Sequence, residues 1–345
     1  LGGTLWIFIV NFLVFRFYET LFEKKYHRLF LVILTIFLPL ALSHFLYKKA
    51  AALLAEDSMN VLVVQPNIDP YHEKFSLSQN SQTELLLNLV SSHIDQNLDF
   101  MILPETFLFY PVWQHQFNNS ASINRFKKLS REFSNLNIIV GAVTFSLSQE
   151  GPRAKPMSSQ PNKWYKVFNS TLHVTHDSVG VYNKSKLVPG AEQMPFQNLL
   201  YPIFGDQILQ IGNSTAVGNF AIQDTVSVFS SSNSIKIAPA ICYESIYGDY
   251  VRKFIQKGAQ AIFIITNDGW WKKTSGYQQH SMYAQLRAIE TRRYIARSAN
   301  TGISSVINHL GEIQNSIPWD QEGVINYEIP LYNQKTFYVR YGDFL

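Results

Sequence analysis

Only one cysteine, Cys242, occurs among the 345 residues. No disulfide can therefore close within the chain, and cysteine usage leaves the redox compartment open. The nine histidines form no HxxxH or Cys/His spacing, so the sequence nominates neither a zinc site nor a cysteine–histidine dyad. Neither GxGxxG nor a P-loop occurs, which removes the usual phosphate cradles and any cofactor call. The net charge of +4, from 29 basic and 25 acidic side chains, comes without a run of like charge. No nucleic-acid footprint is visible. There is also no repeat at the periods of about 20–50 residues that mark solenoids.

What the chain does have is hydrophobicity, 46% of its residues, enough for a sizeable core and against disorder. Two stretches stand out, 5–22 (LWIFIVNFLVFRFYETLF) and 29–47 (LFLVILTIFLPLALSHFLY). Both are candidate transmembrane helices. The second carries no charged side chain apart from His44 and is long enough to span a hydrocarbon core of about 30 Å. Its Pro39 is a kink that membrane helices tolerate. The first contains Arg16 and Glu19, so its apolar part is short for a lone span. The alternative is a buried soluble helix pair.

Two such stretches, separated by the basic loop 23–28, do not make a signal peptide. By the positive-inside rule that loop is cytoplasmic, which places the bulk of the chain across the membrane, although Lys48 and Lys49 reduce the bias. Because the chain opens at Leu1 and a glycine pair, further membrane helices are expected upstream.

From residue 58 to 345 the pattern is that of one catalytic-size domain, with 1–50 as a membrane fragment. Apolar runs at 61–65, 100–103, 138–145, 171–175, 235–242, 261–266 and 303–307 predict strands. Helical periodicity falls at 81–96, 123–132, 247–257 and 278–297. Strands alternating with helices predict a layered α/β core. The stretches 147–161 and 205–234 read as long surface excursions.

Three polar residues stand where strand-like runs stop, the place where α/β folds expose side chains at a crevice. Glu105 follows FMILP, Lys184 lies in VGVYNKSKLVPGAE, and Cys242 closes IKIAPAIC. Taken singly, each has a bland reading: a solvated loop carboxylate, a surface lysine, a small buried hydrophobe. Together they supply a base, a cation and a nucleophile, the three roles that thiol-based acyl transfer requires. Separation along the chain says nothing about proximity. Elsewhere, Arg287, Glu290 and Arg293 read as an ion-paired helix face. Asn169-Ser170-Thr171 and Asn213-Ser214-Thr215 match glycosylation acceptors, a triplet common by chance.

The ordered set LVVQPNI, ILPET, YNKSKLVPGAE, ICYES, TNDGWW and RAIETRRYIARSANTGISSVI resembles the apolipoprotein N-acyltransferases of bacteria. These are a membrane branch of the nitrilase, or carbon-nitrogen hydrolase, superfamily. The resemblance extends over nearly the whole chain, from GGTLWIFIVN to FYVRYGDFL. It implies a four-layer αββα nitrilase-like sandwich preceded by two transmembrane helices. It also implies Glu105 as general base, Lys184 as oxyanion stabiliser, Cys242 as nucleophile and Glu192 as a second glutamate holding the lysine and thiol in register. Tyr243 and Glu244 match further functional positions. Gly190-Ala191 stands where the family usually has Phe-Gly, which leaves the local loop shape open.

The activity implied is transfer of an acyl chain from a phospholipid to the N-terminal amine of a diacylglyceryl-cysteine apolipoprotein, through a thioester and without a metal. The location implied is the bacterial inner (cytoplasmic) membrane, multi-pass, with the catalytic domain on the periplasmic side. The competing readings are a membrane-tethered nitrilase-type amidase, in which water resolves the thioester, and an idle domain serving as an interaction module. Two aromatic clusters, 107–113 and Trp270-Trp271-Lys272-Lys273, read equally as a lipid-facing rim and as core.

Overall fold

Two apolar helices open the chain, α1 (Gly2–Glu19) and α2 (Tyr26–Ala51). The computed structural model describes residues 2–19, 26–193 and 220–343. Among them α2 alone is long and apolar enough to cross a membrane, since α1 carries the Arg16–Glu19 ion pair at 3.3 Å. Apolar side chains of α2 such as Phe30, Phe37, Leu38 and Leu40 are exposed, as an apolar solvent would favour. Pro39 lacks the N–H that would bond the carbonyl four residues back, at Thr35. Trp6 Nε1 of α1 donates to that Thr35 carbonyl at 3.0 Å, so the backbone group freed by the proline is satisfied between the two helices. These helices fall in one compact unit, Leu1–Leu54 with Arg340–Leu345, and the remainder, Ala55–Val339, forms another.

The larger unit holds two mixed sheets. The first uses β1 (Asp57–Gln65), β2 (Phe100–Ile102), β3 (Leu108–Trp113), β4 (Asn137–Ser148), β5 (Lys155–Met157), β6 (Gln160–Val174), β7 (Val179–Asn183) and β14 (Gly323–Leu331). Its order is β14-β1-β2-β4-β6-β5, with β3 on β4 and β7 on β6. The second runs β13 (Ile313–Ile317), β12 (Ser304–Ile307), β11 (Tyr294–Ala299), β10 (Ala261–Thr266), β9 (Lys236–Ile241) and β8 (Phe229–Ser230). β1, β2 and β4 are parallel, as are β9, β10 and β11. Buried on both faces, these strands read as continuous Val, Ile and Ala runs rather than as alternation.

Helices cover the outer faces. α3 (Gln79–Val90) and α4 (Ala121–Glu132) lie on the first sheet, and α5 (Gly248–Gln256) and α6 (Ser275–Thr291) on the second. Ser78 caps α3 by accepting from Ser81 N at 3.1 Å, and Ser120 caps α4, each satisfying a donor the helix leaves over. Leu86, Ile123 and Phe126 pack under α3 and α4 against Leu62, Met101 and Ile138. Each such burial stabilises by about 1.5–3 kcal/mol. Between the sheets Phe100 meets Phe263 edge-on at 5.2 Å, and Ser298 Oγ donates to Val64 O at 2.7 Å. The result is the expected four-layer αββα sandwich.

Several boundaries differ from expectation. The helix expected at 278–297 ends at Thr291, where Arg292 turns left-handed (φ 52°), and 294–299 becomes β11, parallel to β10. The helical spacing of Arg and Glu masked a buried strand, YIARSA. The helix expected at 81–96 stops at Val90. The polar stretch 147–161 is no free excursion, because 155–157 and 160–174 pair as a hairpin. Of the second excursion, 205–219 lies outside the described residues, and 229–230 forms an edge strand.

One close approach sets the site. β4 passes the turn after β2 at Gly141, whose N–H donates to Pro104 O at 3.1 Å. A Cβ there would fall 2.5 Å from Glu105 Cα and from Thr106 N, backbone atoms that no side-chain rotation can move. Gly141→Ala is therefore expected to lower stability by about 1–3 kcal/mol through overpacking. Thermal unfolding of the detergent-solubilised protein checks this; an unchanged midpoint contradicts the packing described.

Candidate active site

Parallel strands bring their C-terminal ends to one edge of each sheet, and the polar residues singled out from sequence gather there, between the sheets. Glu105 follows β2, Lys184 follows β7, Cys242 follows β9, and Asn267 follows β10. Lys184 is fully buried. Its Nζ lies 2.9 Å from Glu105 Oε1 and 2.9 Å from Glu192. Glu105 Oε2 accepts from Asn267 N at 3.1 Å, so both carboxylate oxygens are engaged. Glu192 Oε2 also accepts from Val188 N at 2.9 Å, closing the loop that carries it.

Asn169, matched in sequence only to a glycosylation triplet, is buried at the centre of this cluster. Its Nδ2 donates to Glu105 Oε1 and to Glu192 Oε1, both at 2.8 Å, and its backbone carbonyl accepts from Lys184 N at 2.8 Å. A glycan on this side chain has no room. The register explains the placement, because Asn169 sits on β6 beside the end of β7, next to the Ser170–Asn183 pair. No local motif announces it. The second triplet, at 213–215, lies outside the described residues.

The charges stabilise one another. Burial opposes ionisation of Glu105, but the Lys184 charge and hydrogen bond, with that of Asn169, outweigh it and hold the carboxyl below its ordinary value. Burial likewise works against the Lys184 ammonium, and Glu105 with Glu192 reverses this, holding its pKa well above normal. Burial pushes the Cys242 thiol up, the Glu105 charge adds to that, and Lys184 pulls the other way. The resting state is thus a carboxylate beside a protonated thiol, which also interacts with the Thr266 side chain.

Cys242 itself is held in the left-handed region, φ 48°, at the start of the 3₁₀ segment Cys242–Ile246. Such backbone in a non-glycine residue persists only where its surroundings enforce it. Here Ser245 Oγ donates to Cys242 O at 2.7 Å, and His280 Nε2 lies 3.1 Å from the same oxygen. Behind them His280 Nδ1 is 2.9 Å from Asp268 Oδ1, and Arg297 Nη2 is 2.7 Å from Asp268 Oδ2. Burial opposes the Asp268 charge, yet Arg297 and His280 hold it far below the ordinary carboxylate range. Sequence reasoning missed this chain of supports, because its members come from the 3₁₀ segment after β9, the turn after β10, α6 and β11, and meet only in the fold.

Glu244 ties the two sheets' contributions together. It is fully buried, and its Oε1 accepts from Tyr182 Oη at 2.8 Å and from Ser185 N at 2.6 Å, while Oε2 accepts from Ile241 N at 2.8 Å. It therefore fixes the residue after Lys184 to the residue before Cys242. Burial raises its pKa to about 7 despite these donors. Tyr243 is half-buried and packs edge-on against Tyr247 at 5.4 Å. The supposed ion-paired face splits: Arg287 pairs with Glu290 at 3.1 Å, whereas Arg293 lies beyond the helix and donates to the carbonyls of Ala259 and Gln334. Among the described residues no group of three His, Cys, Asp or Glu side chains is placed to hold a metal ion.

Residues 60–335 match the family described as carbon-nitrogen hydrolase. The chain belongs to the carbon-nitrogen hydrolase family. Within that family it is similar to the apolipoprotein N-acyltransferase of Chlorobaculum tepidum, 26% identical over 99% of this chain and 64% of the relative. It is also similar to that of Thermotoga maritima, 28% identical over 98% of this chain and 58% of the relative. The chain spans about three fifths of the length of these curated relatives. Among solved structures, an amidase of the nitrilase superfamily from Nesterenkonia superposes with a TM-score of 0.53, at 16% identity over 80% of this chain and 93% of the other. Nit3 of Saccharomyces cerevisiae, of the same superfamily, gives 0.53 at 15% identity over 80% and 91%. These two likenesses establish the fold.

Chemically, this carbon-nitrogen hydrolase site offers a thiol with an ionised carboxylate beside it and a fixed ammonium, the parts of nucleophilic acyl transfer. Its weak point is burial. Lys184→Met leaves the buried Glu105 carboxylate and the partly buried Glu192 without their cation, and stability at pH 7 is expected to fall by about 3–5 kcal/mol. Without Lys184, burial raises the folded-state pKa of Glu105 above its ordinary 4.5. The folded variant then binds more protons than the unfolded chain, so its deficit shrinks as the pH falls through that raised value. Denaturant unfolding of both proteins from pH 7 to pH 4 checks this; a deficit constant with pH contradicts it.

Proposed function

We propose that the chain is the catalytic segment of a membrane-bound acyltransferase. It moves an acyl chain from a phospholipid to the N-terminal amine of a diacylglyceryl-cysteine lipoprotein, by way of a thioester on Cys242. One observation carries the reading: similarity to apolipoprotein N-acyltransferases runs over 99% of the chain, through the apolar α1 and α2 as well as the sandwich. The amidase likeness covers 80%. In this reading 1–50 belongs to a multi-pass domain of the bacterial inner membrane, and 58–345 is the catalytic domain on its periplasmic side.

Glu105, already ionised, takes the proton of the Cys242 thiol as sulfur attacks the ester carbonyl. Two Lys184 donors serve Glu105 and Glu192, and the third, with a backbone N–H, meets the oxyanion. Collapse breaks the C–O bond, the Glu105 proton passes to the departing lysophospholipid oxygen, and a thioester remains. The lipoprotein amine then attacks the thioester. Glu105 takes an amine proton and returns it to the leaving sulfur, so the thiol is restored and an amide is released. Glu192 and Glu244 act through others, the first on Lys184 and the second on the two loops it joins.

Mass spectrometry of the protein after incubation with phospholipid vesicles tests the first half-reaction. An added acyl mass on the peptide containing Cys242 is expected, absent in Cys242→Ala and formed about 10²–10⁴-fold more slowly in Glu105→Gln. Folded wild-type protein that never carries the adduct sinks the mechanism.

A further inference from the structure

One charged side chain at this end of the sheets has no part in the chemistry above. Lys74 lies in the segment between β1 and α3, only 4% exposed, and its Nζ donates to Thr106 Oγ1 at 2.7 Å. Among the described residues that neutral hydroxyl is its one hydrogen-bond acceptor, and the nearest ring, Trp270, lies 6.0 Å from Nζ. An ammonium has three donors, and burying one with two donors unmet is costly unless something else completes them. Burial lowers its pKa to about 8, and the Glu105 charge opposes that shift.

A second, independent feature lies at the same point. Thr106, the residue after Glu105, has φ 49°. For a β-branched side chain the left-handed region is an outlier, a form of strain found at ligand clamps. The same conformation places its hydroxyl on Lys74. Around the buried ammonium stands an exposed aromatic rim: Tyr71 (46%), Phe75 (55%) and Trp270 (42%). Tyr71 meets Trp270 edge-on at 5.4 Å, and Phe75 meets Phe109 at 5.8 Å.

We infer that Lys74 Nζ is an anion subsite of the active site, receiving a phosphodiester oxygen of the acyl donor's headgroup while the aromatic rim takes apolar surface beside it. This rests on the phospholipid reading above. In a glycerophospholipid the scissile ester and the phosphate hang from one glycerol, so a donor with its carbonyl at Cys242 carries its phosphate only a few bonds away. The neighbouring charges define the sign. Lys184 is charge-paired with two carboxylates, whereas among the described residues Lys74 has none within ion-pair distance. With the exposed Lys272, whose Nζ lies 5.0 Å from the Tyr71 ring, it makes this rim cationic, and Lys74 is the buried member available to an anionic ligand.

Formation of the Cys242 thioester is measured with phosphatidylglycerol and with p-nitrophenyl palmitate, which lacks a phosphate, in the same micelles. Lys74→Met is expected to raise KM for phosphatidylglycerol about tenfold more than for the ester, the loss of one charge-assisted hydrogen bond, and Lys74→Arg to recover most of that difference. In wild type, glycerophosphoglycerol is expected to compete against the ester more strongly than inorganic phosphate does. Equal KM changes for both donors overturn the subsite. So does the absence of competition by glycerophosphoglycerol in wild type, an arm that needs no variant to fold. Competition by inorganic phosphate alone assigns a free anion and overturns the headgroup assignment. Wild type that takes acyl groups from the ester but never from phosphatidylglycerol sinks the phospholipid reading, while the competition arm still decides the subsite.

Discussion

The site is organised around a lysine ammonium removed from water and held 2.9 Å from each of two glutamates. A buried cation of this kind survives only if its partners are also fixed, and much of the surrounding structure can be understood as fixing them. Asn169 bridges the two carboxylates, Asn267 N takes the second oxygen of Glu105, and Val188 N takes that of Glu192. The lysine in turn keeps Glu105 ionised, while burial, with the Glu105 charge adding to it, keeps the neighbouring thiol protonated.

Two sheets must meet for that arrangement to exist. Glu105, Lys184 and Asn169 come from the first, and Cys242, Asn267, Asp268 and the chain of supports behind them from the second. Glu244 links the halves by accepting from Ser185 N on one side and Ile241 N on the other. Gly141 lets β4 run against the Glu105 turn where any side chain would collide. The strained residues Thr106 and Cys242 both lie at this meeting point, consistent with strain held at a functional site by packing elsewhere.

How much of this was legible in the sequence varied with the kind of information required. Strand-end placement of Glu105 and Cys242 could be read directly, because apolar runs stop just before the first and at the second, and Lys184 could be placed only near the end of a possible hairpin strand, VGVYN. Their convergence could not, since it depends on sheet order. Asn169 and His280 were invisible for the same reason: a buried hydrogen-bond hub carries no periodicity of its own. The segment after Thr291 was misjudged because Arg293 and Arg297 look like helix-surface residues, yet both are buried, one on carbonyls and the other on Asp268. The aromatic clusters were split by the fold, with Phe107 in the core and Tyr110 and Trp270 exposed.

Membership of the carbon-nitrogen hydrolase family fixes the sandwich, and under the proposed mechanism the choice between hydrolysis and acyl transfer turns on which nucleophile resolves the thioester. That choice is settled by the fate of the acyl group when phospholipid and a diacylglyceryl-cysteine peptide are supplied together in vesicles. Labelled acyl chains recovered mainly as amide on the peptide, in a reaction lost with Cys242→Ala, are the predicted result. Label recovered as free fatty acid, with none on the peptide amine, would contradict acyl transfer and leave a hydrolase in its place.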